Sequence, residues 1–337
     1  METQRNKVIV TGGAGFVGHH LVAKLLEEGS MVYLVDDMSA AVIQPSKIKG
    51  AVSREVIPQM LQYYDLDSDS QKPNLIHLNC DYSSPPILTL IKKENISTVF
   101  HLAAKPRVSW SVENPVLSTN ENFFGVLPVL KVCADEGVRF VFSSTAAVYG
   151  NVDSLPILEG DKTNPTSPYG LSKLCVEQYM KLFEDLYGLD WVALRYFNIY
   201  GPAQPGDSPY STVVSAWCYK ALVNEPLRSD GDGTQTRDMV YVDDVVSANI
   251  VVSKAEDLKC RIYNVATEKR YSNNDIRKVF ENIGYKEVVH SAERAGDIKH
   301  TLANADKLRA LGWQPKTEFY DGLQRVMKYW GLISDAE

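Results

Sequence analysis

The stretch Val8-Ile-Val-Thr-Gly-Gly-Ala-Gly-Phe-Val-Gly18 decides the fold. Three β-branched apolar residues and a threonine read as a short buried strand, and the apolar positions beyond Gly15 open a helix. Between them Gly12, Gly15 and Gly18 recur at three-residue spacing. Glycine at such places permits a tight turn and the close approach of backbone to a pyrophosphate, whose charge then faces a helix N-terminus. Phe16 and Val17 lie in the same turn. The spacing differs from the G-x-G-x-x-G fingerprint, and a glycine-rich turn also arises for purely steric reasons.

Outward from this turn, short β-branched runs alternate with longer amphipathic stretches. Val8–Thr11, Met31–Val35, Leu75–Leu78, Thr98–Leu102, Arg139–Ser143 and Trp191–Arg195 read as strands. Gly15–Glu28, Pro85–Lys93, Asn114–Glu136 and Ser167–Tyr187 read as helices. The alternation predicts an α/β fold, a doubly wound parallel Rossmann-type sheet with ligands at the carboxyl ends of its strands. From about Ile199 loops rich in Pro, Gly and Asp set in, which predicts a smaller C-terminal substrate-binding α/β region. The expected division is a dinucleotide-binding domain over 1–197, rejoined by about 238–266, and a substrate domain over 198–237 and 267–330. Ala40–Lys72 is polar and without period, an excursion after the second strand.

The 337 residues, 45% of them hydrophobic, suffice for a large core, so disorder is not expected. A net charge of −7 without long basic runs points away from nucleic acid and anionic membranes. No apolar run approaches the ~20 residues that span a bilayer. With nothing resembling a signal peptide at Met1, the chain reads as cytoplasmic. Five cysteines stand singly, with no C-x-x-C pair, so buried thiols are expected and no metal site.

Asp36 and Asp37 end the second strand, near the ~20-residue offset at which an acid holds the adenosine ribose hydroxyls. A carboxylate there repels a 2′-phosphate, so the expected cofactor is NAD rather than NADP; two ordinary loop aspartates are the alternative. Asp81, after the third strand, is placed for the adenine amino group or for a turn.

Tyr169 and Lys173 stand four residues apart, hence on one face of a predicted helix. A tyrosine of ordinary pKa, about 10, is a poor base at neutral pH, and a neighbouring cation favours its phenolate. Tyr169 can then exchange a proton with a sugar hydroxyl. Ser143-Ser-Thr-Ala-Ala-Val-Tyr-Gly150 ends the fifth strand upstream, where Thr145 either hydrogen-bonds the reacting oxygen or caps the turn.

His101-Leu-Ala-Ala104, Asn122-x-x-Gly125, Pro168-Tyr-Gly-Leu-Ser-Lys173, Arg195-Tyr-Phe-Asn-Ile-Tyr-Gly-Pro202, Gly231-Asp-Gly-Thr-Gln-Thr-Arg-Asp238 and Gly296-Asp-Ile-Lys-His300 complete the set. Together these motifs resemble the extended short-chain dehydrogenase/reductases, the NAD-dependent epimerase/dehydratase family, over nearly the whole chain. The resemblance is nearest to UDP-hexose 4-epimerases acting on N-acetylglucosamine, glucuronate or glucose. It implies Tyr169 as acid/base, Lys173 on the nicotinamide ribose and on the tyrosine, and Thr145 at the C4 hydroxyl. It adds Tyr82, Leu102, Ala103, Ala104, Asn122 and Ser143 to the cofactor contacts. It places Asn198, Tyr210, Ser211, Arg237, Arg294 and Asp297 around the UDP moiety and Thr301 at a position that admits an N-acetyl group or serves packing, and it leaves Lys105 and Arg107 as two cations close to the sugar pocket or as surface charges. Lys105-Pro-Arg-Val-Ser-Trp110 departs from the family pattern, which has a small polar run followed by an arginine. A homodimer paired through helices is also implied.

The resemblance also separates reactions. Dehydratases carry an Asp-Glu pair, and decarboxylases a Glu, after the Ser/Thr position, whereas Ala146 and Ala147 stand here. The expected activity is therefore C4 inversion of a UDP-sugar through a 4-keto intermediate with tightly bound NAD. A 4,6-dehydratase, a 4-keto-sugar reductase and a non-catalytic dinucleotide-binding protein are the alternatives.

Overall fold

The structure, a computed structural model, describes residues 5–57, 73–152, 154–207, 211–292 and 299–334. Its strands are β1 (Lys7–Thr11), β2 (Met31–Val35), β3 (Ser53–Glu55), β4 (Leu75–Leu78), β5 (Thr98–His101), β6 (Arg139–Thr145), β7 (Trp191–Tyr196), β8 (Asn198–Tyr200), β9 (Leu227–Asp230), β10 (Thr236–Tyr241), β11 (Ile262–Val265), β12 (Arg270–Ser272) and β13 (Val288–Ser291). Its helices are α1 (Phe16–Glu27), α2 (Pro85–Lys93), α3 (Val108–Glu113), α4 (Pro115–Thr119), α5 (Val126–Glu136), α6 (Pro168–Tyr187), α7 (Val213–Leu222), α8 (Val242–Lys254), α9 (Asn273–Asn282), α10 (Asp306–Arg309) and α11 (Phe319–Tyr329).

Two compact units emerge. The first comprises the chain up to Ser144, Ser167–Leu194 and Asn249–Ile262; the second comprises Thr145–Thr166, Arg195–Ala248 and the chain from Tyr263. The main sheet runs β11-β7-β6-β5-β1-β2-β4-β3, and the pairs from β3 through β4, β2, β1 and β5 to β6 are parallel. Met31–Val35 is buried at every position, as expected of a parallel strand covered on both faces. The chain builds outward from β1 in one direction through β2 and β4, then returns to its other side with β5. That reversal opens a crevice at the carboxyl ends of β1 and β5, where ligands bind in such sheets.

In the second unit β10 lies parallel to β8 and antiparallel to β12, while β9 and β13 pair in parallel. Asp238, fully buried, knits this unit together. Its Oδ1 accepts from the Thr267 N–H at 2.8 Å and hydroxyl at 2.9 Å, and its Oδ2 from the Glu268 and Ala303 N–H groups at 3.1 and 3.2 Å. Burial pushes this carboxyl up to about 6 against those hydrogen bonds.

The doubly wound parallel sheet was expected, and two details differ. The polar excursion after β2 contains the edge strand β3, whose Ser-Arg-Glu composition carries no strand signal; residues 58–72 of that excursion lie outside the described residues. The single helix expected over Asn114–Glu136 is broken. Pro115 starts α4, and a π-helical turn at Asn120–Phe124 separates α4 from α5. Such turns favour functional sites, and this one carries Asn122.

Candidate active site

The glycine turn after β1 is sterically exclusive. Gly12 has φ +68°, and a Cβ there would stand 2.7 Å from the Ala103 backbone nitrogen. At Gly18 a Cβ would meet the Gly12 carbonyl oxygen at 2.0 Å, so only glycine lets α1 rest on the turn. Phe16 and Val17 remain half-buried at the start of α1. Beyond β5 the Leu102 N–H donates to the Thr11 carbonyl at 3.1 Å and the Ala103 N–H to the Thr11 hydroxyl at 3.3 Å. Ala104 follows, half-buried. The loops after β1 and β5 are thereby brought edge to edge.

Asp36, at the end of β2, is 9% exposed. Its carboxylate accepts from the Ala14 N–H at 2.9 Å and the Met38 N–H at 2.8 Å. Burial raises its pKa against those two bonds. Asp37 is exposed and accepts from the Ser39 N–H at 2.9 Å. Burial acts upward on it, but the Ser39 bonds and the Lys105 charge leave it below the usual carboxylate range.

Asp81 builds an Asx turn, accepting from the Ser83 N–H and hydroxyl at 2.7 and 2.5 Å. The Tyr82 hydroxyl donates to the Glu121 carbonyl at 2.6 Å, so the ring buttresses the π turn. From that turn the buried Asn122 side chain accepts the Lys105 N–H at 2.9 Å and donates to the Ser118 carbonyl at 2.9 Å, which pins the loop after β5. The Ser143 hydroxyl donates to the His101 carbonyl at 2.9 Å and ties β6 to β5.

Helix α6 starts with Ser167, whose hydroxyl caps the Gly170 N–H at 3.1 Å, and with Pro168 in its first turn. This cap fixes where Tyr169 begins. Tyr169 is 8% exposed, and its N–H donates to the buried Ser111 hydroxyl of α3 at 3.2 Å. One turn on, the Lys173 ammonium lies 4.5 Å from the centroid of the Phe142 ring and 5.9 Å from that of Tyr169. Lys173 is 1% exposed. Burial lowers it to about 7, with the Glu177 charge acting in the opposite direction. A buried ammonium held over ring faces is a strong donor toward hydroxyls that enter the crevice.

In the second unit, Thr145 caps the 3-10 turn Ala146–Val148, accepting the Ala147 N–H at 3.2 Å. Asn198 sits in β8 opposite Met239. Arg237 donates to the Thr236 and Lys299 carbonyls at 3.1 and 3.3 Å. The Thr301 hydroxyl accepts the Asp238 N–H at 3.2 Å and so joins the local strand pairing. Ser211 is half-buried just before α7, while Tyr210, Arg294 and Asp297 lie outside the described residues.

The two cations after β5 are placed differently from each other. Lys105 donates from Nζ to the Ser39 hydroxyl at 2.9 Å, toward the Asp36–Asp37 loop. Arg107 starts α3, its carbonyl accepting the Ser111 N–H at 2.9 Å. Sequence reasoning missed Ser111, Ser144 and Glu177. Glu177 follows Tyr169 by two helical turns, a legible signal; Ser111 meets Tyr169 only through the tertiary fold. Among the described residues no cluster of His, Cys, Asp or Glu is arranged to hold a metal ion, and no helix is long and apolar enough to cross a membrane.

A parallel sheet with a glycine turn after β1 and two acids after β2, and with the Tyr169–Lys173 pair on α6, defines a dinucleotide-dependent short-chain dehydrogenase/reductase scaffold. The model of the NAD dependent epimerase/dehydratase family matches residues 8–266, and the chain belongs to that family. It is similar to the UDP-glucuronate 4-epimerase of Thermodesulfobacterium geofontis, 32% identical over 95% of both chains. Among solved structures it is similar to the UDP-N-acetylglucosamine 4-epimerase of Methanobrevibacter ruminantium in complex with UDP-N-acetylmuramic acid. That match has TM-score 0.84 and 30% identity, and covers 97% of this chain and 99% of the other. It is also similar to the Thermus thermophilus UDP-glucose 4-epimerase in complex with NAD, with TM-score 0.81 and 30% identity over 96% and 99% of the two chains.

Proposed function

We propose that this chain is an NAD-dependent UDP-hexose 4-epimerase, an isomerase that inverts C4 through a 4-keto sugar. The observation that carries the reading is the Tyr169–Lys173 pair, with a buried ammonium 5.9 Å from the phenol ring, in a chain whose strand β6 runs on into two alanines. The residues fit NAD: the Gly12–Gly18 cradle would be filled by a Cβ at either end, Asp36 stands at the ribose side, and Lys173 offers its protons to ribose hydroxyls. When bound, NAD supplies a reversible hydride acceptor for C4. Tyr169, as phenolate, takes the C4 hydroxyl proton and later returns it. Lys173 favours that phenolate by its charge. Thr145 donates its O–H to the same sugar oxygen as its carbonyl character develops. Ala146 and Ala147 bring no carboxyl group to that turn, which leaves the 4-keto sugar to turn its other face and be reduced at C4. Asn198, Tyr210, Ser211, Arg237, Arg294, Asp297 and Thr301 form the UDP-sugar side of the site in this reading. Guanidinium groups suit the paired phosphates because they bind oxygen pairs in bidentate fashion.

The named relatives act on glucuronate, N-acetylglucosamine and glucose derivatives at nearly equal identity. The reading therefore commits to a UDP-hexose and not to one hexose. We also place the enzyme in the cytoplasm, a reducing compartment that suits its five free cysteines. We take it to be a homodimer. Leu171, Tyr179, Leu182 and Leu186 form an exposed stripe along α6, joined by Val116 and Leu117 from α4 and Phe124 from the π-helical turn, and a second copy of the same face would cover it. Purified protein without added NAD, incubated with each of the three UDP-hexoses, tests the activity. Appearance of a C4 epimer is expected, and absence of turnover on all three contradicts the reading.

A further inference from the structure

We propose that Glu177 is a positioning residue that sets the charge of Lys173, and through it the pH range in which Tyr169 serves as base. The proposal rests on the epimerase reading of the site. Tyr169, Lys173 and Glu177 follow one another at four-residue intervals on α6, so they share one face of the helix. Glu177 is 3% exposed and Lys173 1%. The carboxylate does not float: its Oε1 accepts the hydroxyl proton of Ser144, itself 2% exposed on β6, at 2.5 Å. Helix and strand are thereby clamped one residue before Thr145.

The surroundings of Lys173 give Glu177 its leverage. From β6 comes the Phe142 ring, from α6 the Tyr169 ring, and from β5 His101. His101 brings no negative charge. The Thr11 hydroxyl and His101 Nδ1 share a hydrogen bond at 2.9 Å. That imidazole stays neutral, because burial and the Lys173 charge hold its pKa well below the usual histidine range. Among the described residues Glu177 is then the one anion acting on Lys173, and it opposes the downward pull of burial. Removing its charge while keeping its shape leaves the ammonium easier to deprotonate and the phenolate less favoured. Both limbs of a bell-shaped rate profile should then close in.

The test is the pH profile of kcat for the NAD-loaded enzyme and its Glu177→Gln and Glu177→Asp variants. Glu177→Gln can still accept the Ser144 hydrogen bond through its amide oxygen. Its alkaline limb should move down by about one pH unit and its acid limb should move up. Glu177→Asp keeps the charge and should restore most of the wild-type profile. If Glu177→Gln is recovered unfolded, Ser144→Ala replaces it: the carboxylate keeps its charge and loses the donor that shares it, so the alkaline limb should move up, opposite to Glu177→Gln. Limbs that stay in place in the folded variant, whatever the rate, overturn the proposal. A wild-type enzyme that interconverts no C4 epimers would instead overturn the underlying reading, so the two failures are distinguishable.

Discussion

The Lys173 ammonium lies 4.5 Å from the centre of the Phe142 ring, with 1% of the residue exposed. A cation in such a place is a cost to the fold, offset only in part by the ring faces and by Glu177. Lys173→Met removes that cost but leaves the buried Glu177 carboxylate without its cation, so the variant should fold with stability near the parent's and lose NAD retention and turnover. Thermal unfolding beside measurement of bound nucleotide checks this. A variant that is less stable yet fully active would show that the lysine serves packing.

The same burial has a pH signature in the NAD-free protein. Lys173 is lowered from 10.5 to about 7 on folding. Between those values the unfolded chain binds the proton more tightly, so stability rises with pH across that window. Denaturant unfolding at a series of pH values should show a steeper rise for the parent than for Lys173→Met. Parallel curves would contradict the assignment.

Tyr169→Phe removes the proton acceptor of the proposed mechanism and keeps the ring that sits beside Lys173. Fold and NAD binding should persist, with kcat down by about 10²–10⁴-fold or more. Near-normal turnover would remove Tyr169 from the mechanism.

Asp36→Ala loses the carboxylate that the proposed function assigns to the ribose, and also the acceptor for the Ala14 and Met38 N–H groups. NAD affinity should fall by about tenfold or more, and the preference over NADP should shrink. Titration with both nucleotides decides; an unchanged affinity ratio would move the specificity role elsewhere.

Much of this was legible beforehand, and the reasons are local. Val8–Val10 and Met31–Val35 are apolar at nearly every position because both faces of their sheet are covered, so strand and layer could be read together. The Gly12, Gly15 and Gly18 spacing survives into the structure as a steric requirement. Contacts between distant segments left no local trace. Ser111 meets the Tyr169 backbone 58 residues away, and the polar strand β3 is defined by its pairing with β4 alone. Lys105, which the sequence left as a cation close to the sugar pocket or as a surface charge, donates to Ser39 across 66 residues. Spacing in sequence cannot choose between two directions for a long flexible side chain.

The path of one hydrogen tests the central claim most directly. With Ala146 and Ala147 in place of acids at the end of β6, hydrogen removed from C4 should leave and return at the same carbon. A UDP-hexose deuterated at C4 should give the epimer with its deuterium still at C4, and turnover of unlabelled substrate in heavy water should add none at C5. Mass and NMR analysis of the product reads both positions. Deuterium found at C6, or solvent deuterium at C5, would mean elimination chemistry and would contradict the epimerase account.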